Sequence, residues 1–438
     1  MMEIVDGISF FPHCEAVMVA GDDPHDDNPF LDPIRVDKYI VAPWGVNNDL
    51  PDVVREHIER SEIMSSNLEF NRNVMFGLGP RLVRRMPDGS CEEVTSGKEH
   101  DFFERNDIAM FLMETMTDMA YFANAFTQLI PDRSFKEIYT IRNAEAVFSR
   151  WGLDRRYSIN RHLYSNAWKD GVPSPDNIAA SPVVDEYDAV NDTVRLMKAR
   201  TRRMIYGCYM PSPGRPYYSR PNWYSLFTSG WYALGVSIPE LKRTILKNHL
   251  GVKFIIYISP KYFRQREKEE GIDEKDIKAV KELREREVQK FRDFLSGEEN
   301  MSKAMVAFKE MVPTSSSGAE EKYIEILPVK NDIEGGEFLV DLDSVTNMTC
   351  YAMQIHPSLI GAVPGKSSGS LSGTDKRELF LMKQALLKPV VNRCLKPLEV
   401  VRRVNGWDPA ISIQIPEYIF TTLDQNKSGK EESTNTEI

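Results

Sequence analysis

The residues best suited by type and spacing to bind a ligand form a glycine- and lysine-containing loop, Gly361–Ser367. A phosphate-binding loop places four residues between its first glycine and the Gly-Lys-Ser/Thr, so that successive backbone N–H groups surround a phosphate. This loop has only three residues between its first glycine and the Gly-Lys-Ser. The preceding segment, Cys350–Ile360, has the pattern of a helix end, where a phosphate-binding loop requires a buried strand. We therefore interpret Lys366–Gly373, with four Ser and two Gly, as a mobile Gly/Ser loop, and a nucleotide site is the alternative.

Histidines, cysteines and carboxylates show no catalytic or metal-binding spacing. The seven histidines lack an H-x-x-x-H pair, and the five cysteines are scattered without a C-x-x-C pair, which is typical of reduced thiols in a cytosol. Asp341 and Asp343 lie two residues apart, which on a helix separates them by about 200°. His356 precedes Pro357, and we expect it to cap a helix end. The sequence predicts no enzyme, no metal and no cofactor.

Charge is distributed unevenly along the chain. The net charge of −10 argues against a protein that wraps nucleic acid, because such a protein neutralises phosphates with a basic face. Between Pro131 and Arg220, however, there are 15 Lys/Arg and 10 Asp/Glu residues, so the net charge of this part is +5 and that of the remainder is −15. A cluster of basic residues lies there among β-type residues: Arg195, Lys198, Arg200, Arg202 and Arg203. It is either a docking surface for an acidic partner or phosphates, or a solvated strand edge protected by charge from aggregation. Both interpretations stay open.

Helical and β-type patterns alternate along the 438 residues and must position these groups. Apolar residues at spacings of three and four predict helices over Leu50–Met75 (one or two), Asp107–Phe122, Pro239–Leu250, Asp273–Ser296, Leu339–Gln354, and from Asp375, with a bend or break at Pro389 and Pro397. Alternating patterns predict a hairpin over Arg81–Glu93 and strands at Phe126–Ile130, Lys136–Ile141, Met204–Tyr209, Val252–Ile258 and Tyr323–Val329. We expect 131–220 to form a β-rich module between helices.

Three further expectations concern the ends of the chain and the membrane. No run of about 18 apolar residues occurs, so a membrane span is not expected. The first eleven residues lack the apolar region of a signal peptide. The polar segment Asp424–Ile438 has the composition of a disordered tail.

Several short motifs follow one another in a characteristic order along the chain. In the run Ala120–Asp132 a helix ends in small residues, Asn and aromatics and continues as a strand, and Lys136–Glu145 has the pattern of the strand that follows. Ile355–Gly361 has the pattern of a Pro-containing turn, and is followed by a Ser/Gly loop and a helix, Glu378–Leu387. In this order the motifs resemble those of tailed-bacteriophage portal proteins. Thr421–Asp424, before the polar tail, is also similar. The resemblance covers roughly residues 50–424, and Trp151–Tyr224 does not align with it.

This resemblance implies an α+β, portal-type fold with a wing, a helical stem, a β-rich clip insert and a helical crown. The implied regions are the wing at 1–106 and 252–330, stem helices at 107–130 and 230–251, the clip-like insert at 131–229, a tunnel loop and helix at 331–362, the crown at 363–423, and the disordered tail at 424–438. The tunnel-loop residues are Asn331, Asp332, Glu334, Gly335, Gly336 and Glu337. The basic cluster would then lie on the clip, where partners dock.

The function implied by the resemblance is that of a ring, usually of twelve subunits, at one capsid vertex. Such a ring is the conduit for DNA packaging and ejection. Its partners are further copies of itself, the terminase large subunit, capsid and scaffold proteins, the head–tail connector, and double-stranded DNA that passes without sequence specificity. The expected location is the virion, after assembly in the host cytoplasm. Another head–tail adaptor protein and a nucleotide-dependent enzyme are the alternatives.

Overall fold

A computed structural model describes residues 3–5, 8–11, 16–19, 32–168, 173–249, 254–258, 260–273, 276–296, 309–311, 320–322, 324–328, 337–360 and 373–418. The helices are α1 Leu50–Glu59, α2 Glu62–Phe76, α3 Lys98–Arg105, α4 Ile108–Phe122, α5 Ala189–Lys198, α6 Ser225–Thr228, α7 Trp231–His249, α8 Pro260–Glu269, α9 Ile277–Ser296, α10 Glu337–Ala352 and α11 Gly373–Val404.

The strands are β1 Glu3–Val5, β2 Ile8–Phe11, β3 Ala16–Val19, β4 Ile34–Val36, β5 Tyr39–Val41, β6 Arg81–Arg85, β7 Cys91–Glu93, β8 Asn124–Pro131, β9 Ile138–Ala144, β10 Ser149–Leu153, β11 Ile159–Tyr164, β12 Ala179–Pro182, β13 Met204–Tyr209, β14 Phe254–Ile258, β15 Lys309–Met311, β16 Glu320–Lys322, β17 Ile324–Pro328 and β18 Ile411–Gln414.

Contacts divide the chain into two compact units. The first comprises Met1–Ile238 and Gly336–Ile438, and the second comprises Pro239–Gly335. In the first unit, the strand orders are β12-β11-β10-β5-β4, β13-β8-β9, β18-β6-β7 and β1-β2-β3. In the second unit, β14 pairs with β17 and β15 with β16. The ladders between these strands are antiparallel, and the hairpin predicted over Arg81–Glu93 is confirmed as β6–β7.

Helix α4 and strand β8 form the centre of the first unit. Asp107 begins α4 by accepting a hydrogen bond from the Met110 N–H at 3.1 Å, as a helix N-cap does. Ala123 ends the helix with a φ of +55°, and β8 starts at the next residue. Asn124 holds this junction, because its Nδ2 donates to the carbonyls of Phe122 and Ser219 at 2.6 and 2.8 Å. The predicted helix that runs directly into a strand is confirmed.

Two large apolar clusters share this helix and strand, and a smaller third cluster contains Leu163 and Trp168. One large cluster joins α4, the β13-β8-β9 sheet, α5 and the second half of α11. The other large cluster is rich in aromatic residues, and Trp44 stacks on Tyr218 with ring centroids 4.2 Å apart. Strand β8 contributes to both clusters, with Leu129 in the first and Phe126 in the second. Residues of the predicted β-rich stretch 131–229 therefore share their core with the surrounding helices.

The second unit contains a helical hairpin joined by ion pairs. Glu267 of α8 and Glu287 of α9 are almost fully buried. Arg284 of α9 lies 3.0 Å from the Glu267 carboxylate, and Arg266 of α8 lies 3.4 Å from that of Glu287. The Tyr262 hydroxyl donates to Glu287 at 2.7 Å. Burying charge is costly unless it is paired, so these contacts define how α8 and α9 pack. The portal-region names given to both units stay predictions.

Prolines inside two helices account for errors in the predicted bounds of those helices. The sequence predicts that the last helix is bent or broken at Pro389 and Pro397. The break is wrong, since α11 runs continuously from Gly373 to Val404. The helix predicted to begin at Pro239 begins at Trp231 and contains that proline. A proline inside a helix costs about 3 kcal/mol. The buried face of α11, which includes Cys394 and Val401, offsets that cost through tertiary packing.

Within the described ranges, no helix is long and apolar enough to cross a membrane.

Candidate functional site

The basic cluster is located on α5 and on the turn that leads to β13. We call Arg195, Lys198, Arg200, Arg202 and Arg203 the basic patch. Arg195 and Lys198 occupy the last turn of α5, and Arg200 and Arg202 follow it; these four side chains are exposed. The expectation that this cluster lies among β-type residues is wrong for Arg195 and Lys198, which lie on α5. The strand-edge interpretation can therefore apply only to Arg202 and Arg203, which directly precede β13 at the end of the β13-β8-β9 sheet.

The physical reason for this error is the composition of α5. Its sequence, Ala189–Lys198, contains three β-branched residues, which favour strands when each is considered alone. Ala189, Thr193, Leu196 and Met197 nevertheless recur at helical spacing and are buried in the core. Tertiary burial of that face therefore determines the conformation. The basic side chains at the C-terminal end also complement the negative end of the helix dipole.

The five basic side chains differ in how they are held. Arg195 lies 2.5 Å from the Asp192 carboxylate one turn earlier, so its charge is partly compensated. Arg200 has a φ of +55° and follows the C-cap of α5, where its N–H donates to the Met197 carbonyl at 2.9 Å. Arg203 is half-buried and donates from Nε to the Ser181 hydroxyl at 2.8 Å. The side chain of Arg203 is thus held by its hydrogen bond to Ser181, whereas those of Lys198, Arg200 and Arg202 face solvent.

Arg203 also contributes to the electrostatics of the sheet beneath the patch. His162 of β11 is fully buried, and burial is the main cause that lowers its pKa to about 3. The positive charge of Arg203 lowers that pKa further. His162 is consequently neutral at any physiological pH and adds no charge to the patch.

A polar cluster that the sequence did not predict anchors the segment before α5. Arg393 of α11 donates from Nη2 to the Glu186 carboxylate at 2.7 Å and from Nε to the Tyr209 carbonyl at 3.0 Å. The Tyr209 hydroxyl donates to the other oxygen of Glu186. Burial, followed by this contact with Glu186, raises the pKa of Tyr209 to about 12. These residues are 23 to 207 positions apart, so no local spacing could have indicated them.

Of the other groups considered from the sequence, His356 is described by the structure, whereas most of the tunnel loop and the glycine- and lysine-containing loop lie outside the described residues. His356 caps the short turn Pro357–Leu359, since its Nδ1 accepts from the Ser358 N–H at 3.3 Å; the expected capping role is confirmed. The proposed tunnel-loop residues 331–336 and the loop Gly361–Ser367 fall outside the described residues, and Glu337 is the first residue of α10. Among the described residues, no group of three or more His, Cys, Asp or Glu could hold a metal ion.

Among the described carboxylates, that of Asp118 has the largest rise in pKa. Asp118 of α4 accepts hydrogen bonds at Oδ2 from Asn143 Nδ2 at 2.7 Å and from the Ala146 N–H at 3.1 Å. Burial raises its pKa to about 7, and the nearby Glu145 and Glu114 add to that increase. Such a group can be functional or structural. Its position between α4, β9 and the following turn, inside the core, favours a structural role.

Comparison with solved structures identifies proteins of similar fold. A chain titled "Neck of empty GTA particle computed with C6 symmetry" matches with a TM-score of 0.54 and 11% identity over 86% of both chains. A chain from the "Virion of native gene transfer agent (GTA) particle" matches with a TM-score of 0.54 and 10% identity, over 87% of this chain and 86% of that one. A chain titled "Neck of native GTA particle computed with C12 symmetry" matches with a TM-score of 0.53 and 10% identity, over 87% of this chain and 85% of that one.

Sequence comparison adds nothing to these matches: no protein-family model and no curated protein matches the chain. Identities of 10–11% are evidence for the fold alone. Because the likeness extends over nearly nine-tenths of each chain, it includes both the helical and the β-rich parts. This chain therefore has an α+β fold similar to that of chains in the neck and virion of gene transfer agent particles.

Proposed function

We propose that this chain is a portal protein, a ring-forming subunit of the head–tail neck in a tailed-phage-like virion. The observation that carries the proposal is the fold similarity to neck chains over 85–87% of both proteins. The titles of two of these neighbours give C6 and C12 symmetry, which is compatible with a ring of identical subunits. The motif order that resembles portal proteins supports the same assignment independently. In this role the ring is the conduit for DNA packaging and ejection at one capsid vertex, and the subunit has no catalytic activity.

The proposal specifies how DNA would be handled. A conduit through which DNA slides should not hold phosphates tightly, and a net charge of −10 on each subunit is compatible with weak binding. The proposed tunnel loop, Asn331–Glu337, contains three acidic residues and two glycines, and would line the passage. DNA would pass without sequence specificity. Capsid and scaffold proteins are the expected neighbours of the ring.

Electron microscopy of the purified full-length protein tests this function. We expect rings with a central hole and twelve-fold symmetry in negative stain. Compact single particles without a hole, at micromolar protein concentration, would contradict the portal proposal. Binding to the terminase large subunit separates a portal from a head–tail adaptor, because only the portal proposal includes the packaging motor as a partner.

We further propose that the basic patch is where the motor or the connector docks. Lys198, Arg200 and Arg202 are exposed and lie close together on one short segment, which suits an acidic partner. Exposed charges steer association and set its salt dependence, while they contribute little to folding.

Replacement of Arg200 and Arg202 by Glu tests this docking role. We expect rings to form as in the wild type, and binding of the terminase large subunit or the connector to weaken, more strongly at low salt because screening at physiological ionic strength acts within about 8 Å. Arg203 is left unchanged because its bond to Ser181 gives it a structural role. The matched control is Arg155→Glu and Arg156→Glu, on the exposed turn between β10 and β11. Partner binding that is unaffected at every salt concentration would show that the patch is only solvated.

A further inference from the structure

The first half of α11 has an exposed apolar side opposite the side that it buries. One side is buried against the rest of the first compact unit through residues such as Lys383, Val391 and Cys394. The other side is exposed and carries five apolar residues in two turns, which we call the α11 stripe: Leu381, Met382, Ala385, Leu386 and Pro389. At about 100° per residue, the stripe spans an arc of about 140° centred opposite the buried side.

Exposure of such a stripe is unusual for the surface of an isolated protein. Met382 is 63% exposed and Leu386 is 56% exposed. A helix at a protein surface normally has a polar outer face, so an apolar outer face indicates a partner that covers it. Polar, exposed residues, Glu378 and Asn392, delimit the stripe at its two ends. This pattern indicates that a partner surface of limited length covers the helix.

Helix α10 presents a second exposed apolar surface, the α10 stripe, formed by Val340, Met348 and Tyr351. Their exposed fractions are 60%, 38% and 79%. Helical spacing places the three side chains within an arc of about 80°. The opposite side of α10 packs on α2, where Asn67 donates to the Cys350 thiol at 3.6 Å. Helix α11 packs on the same α2 through Phe70 and Phe380, so one compact unit carries both stripes.

We propose that the α11 stripe of one copy packs against the α10 stripe of a second copy of this chain. The inference rests on the proposed ring function. A head-to-tail contact joins two different surfaces and closes into a ring when its rotation divides the circle, so every copy must carry both surfaces. A foreign partner would require only one. The two stripes have comparable lengths, about 12 Å for 381–389 and about 16 Å for 340–351 at 1.5 Å per residue, so they can cover each other.

The test begins with one full-length variant for each stripe. Met382→Glu with Leu386→Glu places two charges in the α11 stripe, and Val340→Glu with Tyr351→Glu does so in the α10 stripe. All four side chains are exposed, so each variant is expected to fold, which circular dichroism and thermal melting verify. We expect each variant alone to be monomeric by mass photometry under conditions where the wild type forms rings. The matched control is Met110→Glu on α4, a methionine of similar exposure (56%), which should still form rings.

Mixing the two variants tests the pairing itself. Each variant retains one intact stripe, and these two intact stripes are complementary. An equimolar mixture should therefore give dimers that contain one copy of each variant, and no larger species. The mixture also verifies folding, because a misfolded variant could not supply its intact stripe.

The outcomes distinguish this inference from the proposed function. If the wild type forms rings and either stripe variant also forms rings, or if the mixture stays monomeric, the stripe pairing is wrong while the ring function stands. If the wild type itself forms no rings, the ring function fails and this inference fails with it.

Discussion

Asp118 allows the electrostatics of the core to be tested with a single substitution. Its pKa of about 7 in the folded protein compares with a reference value of 3.8. The main cause is burial, which the hydrogen bonds from Asn143 and Ala146 only partly offset. A pKa difference of about three corresponds to about 4 kcal/mol, since each pKa unit is worth about 1.36 kcal/mol.

The sign of the effect follows from proton linkage. Below about pH 3.8 the carboxyl is protonated in both states, so it does not change the free energy of unfolding. Between pH 3.8 and about 7 the unfolded chain releases the proton while the folded protein keeps it, and the free energy of unfolding falls as pH rises. Above about pH 7 the full penalty of up to about 4 kcal/mol is present.

Asp118→Asn should remove this penalty. Both hydrogen bonds end on a single oxygen, Oδ2, and the amide oxygen of an asparagine can accept them in the same position. We expect the variant to resemble the wild type near pH 4 and to be more stable by up to about 4 kcal/mol at pH 8. Urea denaturation of both proteins at pH steps from 4 to 9, followed by tryptophan fluorescence, measures the difference.

Asp176→Asn is the matched control, because Asp176 is an exposed carboxylate in the same compact unit. It should leave the dependence of stability on pH unchanged. The reasoning would be refuted if Asp118→Asn and the wild type showed parallel stability curves from pH 4 to 9, or if Asp118→Asn were less stable at pH 8.

Three further predictions concern the anchor of α5 and two segments outside the described residues. Glu186→Gln and Arg393→Met should each destabilise the protein, and a double-mutant cycle by urea denaturation should give a coupling of about 1–2 kcal/mol, because both contribute to one partly buried ion pair; additive effects would contradict a direct interaction. Lys366→Ala should leave ring assembly and DNA packaging intact, and micromolar ATP binding that is lost in this variant would instead support the nucleotide-site alternative. Deletion of 429–438 should preserve folding and oligomerisation, measured by thermal melting and light scattering, because the segment has few apolar residues; an aggregated product would indicate a structural role.

Elements with strong local signals were predictable from the sequence. The spacing of apolar residues predicted α4, and the residue before it, Asp107, is one of the types that commonly cap the N-terminus of a helix. The hairpin β6–β7 follows from its Pro87-Asp88-Gly89 turn, where Gly89 takes a φ of +90° that other residues rarely adopt. Strand β18 pairs with β6, yet the two are more than 300 residues apart, and no local pattern indicates such a partner.

The candidate site was only partly predictable, for a related reason. Sequence counts located the basic patch, because charge clusters are visible in one dimension. They could not show that Arg203 bonds to Ser181 while Arg200 and Arg202 face solvent. The Glu186–Arg393–Tyr209 cluster was missed entirely, since its members come from a loop, α11 and β13.

The sequence by itself determined the absence of a long apolar segment, the start of α4 and the order of motifs that resembles portal proteins. These features depend on residues close in the chain, whose spacing expresses local preferences directly. Only the tertiary structure decided that α11 continues through two prolines and that α5 is a helix despite its β-branched residues. In each case the deciding free energy comes from burial against distant residues, which can exceed a local preference of one to a few kcal/mol.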